Sequence, residues 1–210
     1  MSSRNVGDIR VKSSRFVGVL FGVTALASGC AALPGGGPAP LDTYELTTPD
    51  LTVSGPANPR TQILIAEPSA LKSLDGQDIV VKPAPASIQF LSGAQWGDRL
   101  PKLVQARLAE AFQQSEKFAG VGKPGDGLAI DYQVVVEIRS FEVRVQPGER
   151  AHVEFFVRIL NDRNGVVRAA RSFDAAVPVT GTGNDARVAA MDAAFGTVAS
   201  AVVEWAVGVI

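Results

Sequence analysis

The sequence predicts an α/β fold: a single mixed β-sheet covered by helices in an α-β-α sandwich-like arrangement, with an antiparallel C-terminal meander and a long terminal helix. Three observations predict it. Short β-branched runs separated by proline and glycine fill residues 41–91, and a helical hydrophobic period follows at 97–115. Strictly alternating stretches then lead into a second helical period that reaches the C-terminus.

The first strands are short. Tyr44-Glu45-Leu46 lies in one, Gln62 to Ala66 forms a second closed by Glu67-Pro68, Ile79-Val80-Val81 a third ended by Pro83, and Ser87 to Leu91 a fourth. Leu100, Leu103, Val104, Leu108, Ala111 and Phe112 then recur at spacings of three and four, with Asp98, Lys102, Gln105, Glu110, Gln113 and Glu116 on the other side. This predicts an amphipathic helix from about Gly97 to Ser115, with Pro101 confined to its first turn.

Gly122 to Gly127 reads as a loop. Leu128, Ile130, Tyr132, Val134, Val136 and Ile138 alternate as a half-buried strand, and the phase then shifts to Phe141, Val143 and Val145. The shift predicts a β-bulge near Arg139-Ser140. Pro147-Gly148 turns the chain, Val153, Phe155, Val157 and Ile159 return antiparallel, and Asn164-Gly165 turns it again into Val167 to Ala175. In the last helix, Val188, Met191, Phe195, Val198, Val202, Trp205 and Val209 form one seam, with Thr182 or Asn184 to cap its start. That seam suits packing on the chain's own sheet, with pairing to a second copy as the alternative.

Composition narrows the function classes. The 210 residues suit one domain or a small pair, and 20 Lys+Arg against 21 Asp+Glu leave a formal charge of −1. No global basic field exists to hold a polyanion, which argues against nucleic-acid binding. One cysteine forbids an internal disulfide, and Cys30 with His152 cannot make a four-ligand zinc site. No metal or other cofactor is expected.

The first 29 residues read as an address. Arg4, Arg10, Lys12 and Arg15 precede an apolar run from Phe16 to Ala27. Twelve helical residues span roughly 18 Å, short of the ~30 Å hydrocarbon core, so this is a signal-peptide segment rather than a membrane span. Ala27-Ser28-Gly29-Cys30 follows and resembles the lipobox of bacterial lipoproteins, with Ala27 where leucine is usual. The resemblance implies cleavage before Cys30 and acylation of its thiol; the alternative is an ordinary signal peptide with an incidental cysteine. Two or more acyl chains hold a protein firmly to a bilayer, where one binds reversibly. Ala31 follows the cysteine rather than Asp, which in enteric bacteria implies release to the outer membrane. The expected organisation is a lipoprotein signal peptide at 1–29, a lipidated Gly/Pro-rich tether at 30–40, and a folded domain at 41–210.

Catalytic signals are sparse. His152 is the only imidazole, falls on the polar parity of a strand beside the Pro-Gly turn, and has no Gly-x-Ser-x-Gly elbow nearby. Gly181-Thr182-Gly183 precedes a helix but lacks phosphate-loop spacing, so it reads as a loop before a helix start. Ile88, Leu91 and Trp96, between Pro85 and Pro101, are the candidate partner or lipid surface, with Phe90 read as core.

Several blocks stand in order: Cys30, Tyr44-x-Leu46, Ile63-x-Ile65-x-x-Pro68, Leu71 and Ile79-Val80-Val81-Lys82, then the most specific, Trp96-Gly97-Asp98-Arg99-Leu100-Pro101-x-Leu103, running on into Leu108 and Phe112. Together they resemble the ABC-type transport auxiliary lipoproteins, which accompany mammalian-cell-entry (MCE) lipid transporters of bacterial envelopes. Lys82 stands where many relatives carry Arg, and Glu45 where a second aromatic is frequent. The resemblance implies a periplasm-facing, non-enzymatic lipoprotein, on the outer membrane, working with an MCE-domain protein, an ABC permease and an ATPase. Its cargo class would be phospholipid-like. The alternatives are a lipid-tethered envelope hydrolase and a structural envelope lipoprotein.

Overall fold

A computed structural model describes residues 40–210; Cys30, the signal segment and the tether through residue 39 lie outside the described residues. The elements in chain order are β1 (Asp42–Tyr44), β2 (Asn58–Ile65), β3 (Ser69–Ala70), β4 (Asp78–Ala84), β5 (Ser87–Trp96), α1 (Leu100–Gln114), β6 (Phe118–Gly122), β7 (Tyr132–Arg144), β8 (Arg150–Asn161), β9 (Val167–Pro178) and α2 (Gly183–Val209). The nine strands form one mixed sheet, the α/β class that the sequence predicts.

The sheet is organised around β7. Along one edge β7 pairs antiparallel with β8 over its whole length, and β8 pairs in turn with β9. Along the other edge it takes three parallel partners end to end: β2 beside Tyr132–Val134, β3 beside Glu137 and Ile138, and β4 beside Glu142–Arg144. From β4 the sheet continues to β5 and β1, and from β2 to β6. A parallel neighbour cannot be reached by a tight turn, and α1 lies within the crossover from β5 to β6.

The predicted bulge is present, between Ile138 and Ser140 opposite β8. Before it Val134, Val136 and Ile138 are buried, and after it Phe141 and Val143 continue on the same side. The extra residue restores the phase of the apolar face. Two short strands, β3 and β6, carry no alternating pattern, and the expected strand beginning at Leu128 starts at Tyr132 instead.

Both helices pack against the same face and against each other, so the described residues form the sheet and one helical layer. α2 lies along β8 and β9, and its seam of Val188, Met191, Phe195, Val198 and Val202 is buried there. By length and composition α2 could cross a membrane, yet half of its most apolar stretch is buried against this sheet. Thr182 occupies its N-cap in an extended conformation without a side-chain cap. Asn184 instead donates from Nδ2 to the Ser92 carbonyl at 3.0 Å, tying the helix start to β5.

The centre of the core is aromatic. Trp96 lies edge-on to Phe141 at 5.8 Å, and Phe141 in turn contacts Phe155 and Phe195 at 6.4 and 6.3 Å. Strands from both halves of the sheet and the terminal helix therefore meet in one cluster. Trp96→Ala is expected to cost about 3–5 kcal/mol of folding stability, the usual range for emptying a buried aromatic site. Denaturant unfolding, with the midpoint shifted and the slope kept, checks it.

Candidate functional site

One end of the sheet gathers the turns. The β4–β5 hairpin tip and the β7–β8 turn lie side by side, fastened where Val145 N–H donates to the Lys82 carbonyl at 3.0 Å. β9 ends opposite the start of β8, with Pro178 beside Arg150. The first turns of α2 close the group: Arg187 Nε donates to Glu149 Oε1 at 2.6 Å, and Tyr44 donates its hydroxyl proton to Asp185 at 2.6 Å. That carboxylate pushes the Tyr44 phenol up to about 12, so it stays protonated and keeps donating.

A cleft of about 550 Å³ opens between the two tips, lined by Lys82, Pro83, Ala84, Pro85, Arg144, Gln146 and Pro147. Beside it Glu142 is 2% exposed. Its carboxylate accepts from Arg144 Nε at 2.9 Å and faces Lys82 Nζ at 3.4 Å. The ion pairs give this buried charge the partners that burial demands. Both cationic side chains remain partly exposed at the cleft.

His152 stands opposite Glu142 in the β7–β8 register. Its Nδ1 is buried without a hydrogen-bond partner, so no carboxylate orients the ring through that atom. The arrangement lacks the base-and-orienter geometry that activates a nucleophile. Burial, followed by the nearby Arg144 charge, pushes the imidazole below its usual value, against the opposing pull of Glu142, Glu154 and Asp174. Among the described residues no three His, Cys, Asp or Glu side chains gather as a metal site.

The predicted surface residues separate. Ile88 is 47% exposed and Leu91 half-buried against the core. Trp96, expected at a surface, is 1% exposed, and Phe90, expected in the core, is 52% exposed. The cause is the pairing of β5 with β4. Asp78 lies opposite Gln95 and Val80 opposite Phe90, so two steps along β4 correspond to five along β5. Three surplus residues, spanning Gly93 at φ +75°, reverse the alternation between Phe90 and Ala94. Ile88 and Phe90 thus project from one side, and Ala94 and Trp96 from the other.

The Trp96–Leu103 block is a lock. Trp96 N–H donates to the Gln77 carbonyl at 2.7 Å, Gly97 N–H to Tyr44 at 2.7 Å, and Leu100 N–H to Gly76 at 2.9 Å. Arg99 bonds Asp75 and, at 3.0 Å, Glu67. The block joins the start of α1 to β1 and to the loop before β4. The exposed residues that sequence reasoning left out of the surface, Phe90 and Val145, gave no signal in their spacing, because the bulge that turns Phe90 outward depends on the β4 register.

The position of His152 sets a pH dependence. The unfolded chain binds the imidazole proton more readily than the folded one, so the neutral ring's contribution is full above about pH 6.5 and is lost as pH falls through the depressed folded value. His152→Gln is expected to show a smaller fall in melting temperature between about pH 7 and pH 5 than the parent chain. Thermal unfolding at both pH values measures the difference.

Comparison with known proteins places this fold. A family model described as the ABC-type transport auxiliary lipoprotein component matches residues 44–203. The uncharacterized protein bll6063 of Bradyrhizobium diazoefficiens is 32% identical over 198 residues, covering 92% of this chain and 52% of the relative. The chain thus spans about half the length of that curated relative. The crystal structure of protein XCC0632 from Xanthomonas campestris superposes with a TM-score of 0.73 at 27% identity, covering 80% of this chain and 95% of that one. A second crystal structure, of an uncharacterized protein, superposes with a TM-score of 0.61 at 13% identity over 80% of this chain and 99% of that one, a likeness of fold alone. With a match running from the first strand into the last helix, the chain belongs to the ABC-type transport auxiliary lipoprotein component family.

Proposed function

We propose that the chain is a membrane-anchored, non-enzymatic accessory subunit of an MCE-associated ABC transport system for phospholipid-like molecules. The family match across the folded residues carries this reading. The acyl chains on Cys30 hold the domain at the outer membrane, facing the periplasm. The folded part docks the MCE-domain protein, whose permease and ATPase supply the energy. Fixing the domain at one membrane raises the local concentration of one docking partner for the other, which two untethered proteins would lack. His152, the single imidazole in the chain, has no carboxylate on Nδ1 to orient it as a general base, which fits a docking role better than a hydrolytic one.

Metabolic labelling with a fatty-acid probe, followed by affinity purification, tests the reading. The wild-type chain is expected to carry the label and to co-purify with an MCE protein, permease and ATPase. Cys30→Ser should lose the label and leave the membrane fraction. An unlabelled wild-type chain, or one that recovers none of the transporter subunits, would overturn it.

A further inference from the structure

The end of the sheet that carries the cleft is also the end from which the chain enters the fold. β1 runs parallel to β5, with Asp42 beside Ala94 and Tyr44 beside Trp96. Its N-terminal end therefore points the same way as the N-terminal end of β5, toward the β4–β5 hairpin tip. Pro40 and Leu41, immediately before β1, are both exposed. From the level of Ala94 to Ile88 the strand advances roughly 10–14 Å at about 3.4 Å per paired step, because the surplus residues of β5 add no length. Cys30 precedes Asp42 by twelve residues, a reach of at most about 40 Å. A bilayer holding Cys30 lies within that reach, and the hairpin end is the part of the sheet toward which the entering strand points.

This end has the chemistry of a lipid interface. Ile88 and Phe90 project from β5, and Val145, 39% exposed, projects from the adjoining turn. Phe90, Leu91 and Val145 line one shallow depression, and Pro83, Pro85 and Pro147 line the neighbouring cleft. Lys82 and Arg144 stand at that cleft, and the exposed Arg150 begins β8 behind it. Apolar side chains that enter the headgroup region, with Lys and Arg stems reaching the phosphates, are the pattern of a peripheral membrane contact. The opposite end also exposes apolar groups, Leu128, Val166 and Val167, but no chain enters the sheet there from the anchor.

We infer that the hairpin end of the sheet, through Ile88, Phe90 and Val145 with Lys82 and Arg144, rests on the phospholipid surface to which Cys30 fixes the chain. The inference depends on the reading of Cys30 as an acylated anchor. It sets the orientation of the domain: the β4–β5 and β7–β8 tips face the bilayer, and the β8–β9 turn faces away from it.

Because Cys30 is the only cysteine and its thiol is consumed by acylation, a single introduced cysteine labels uniquely in the full chain. Ile88→Cys, Phe90→Cys and, as the remote position, Asn164→Cys are labelled with an environment-sensitive fluorophore. The acylated proteins are then reconstituted on vesicles of phosphatidylcholine and phosphatidylglycerol containing brominated phosphatidylcholine. Quenching is expected to be several-fold stronger at positions 88 and 90 than at 164, with a blue shift at the first two alone. Equal, weak quenching at all three positions on protein that floats with the vesicles overturns the orientation while leaving the anchor intact. A shift at position 90 that appears only when a protein partner is added overturns it in favour of a docking surface. Protein that fails to float removes the anchor and this inference together.

Discussion

The structure depends on the pairing of one strand on both sides. β7 gives one edge entirely to β8 and divides the other among β2, β3 and β4. A strand so enclosed satisfies its backbone groups only when segments from both ends of the chain have arrived. The N-terminal strands, which are short and poor in alternation, gain their order from this shared neighbour rather than from their own sequence. The bulge at Ile138–Ser140 lies between the stretches claimed by β3 and β4, so the phase correction falls where no parallel partner must follow it.

The two faces of the sheet then diverge. The helical side collects the aromatic cluster and the seam of α2. The side that β7 and β8 turn away from the helices carries charge, Glu137, Arg139, Glu142 and Glu154, with the half-buried His152 among them and Arg139 stacked over Phe156 at 4.3 Å. Glu142 is the exception in being covered, and its two cationic neighbours reach it from the same pair of adjacent strands.

Much of this was legible in the residues. The meander, the Pro-Gly and Asn-Gly turns, the terminal helix and the bulge in β7 all follow from periodicity, because long elements with one buried face write their phase into the sequence. The short elements β3 and β6 left no such trace, being specified by the neighbours they pair with. The surface was half legible. Ile88 lies where its exposure was expected, but Trp96 and Phe90 exchanged roles. Their spacing, even-numbered from 88 to 96, suggests a common face. Only the tertiary register with β4 reveals the surplus residues that separate them.

That surplus has a bearing on how the family diverges. Between Phe90 and Gln95 the strand carries an odd excess over its neighbour, so losing or gaining one residue there would move the indole of Trp96 into solvent and bring outward-facing groups into the interior, while an indel of two would preserve both. Gly93 at φ +75° and the buried Ala94 restrict the residues of this stretch, and its length is held to one parity as well. Insertions and deletions of odd size are therefore the changes this strand accommodates least.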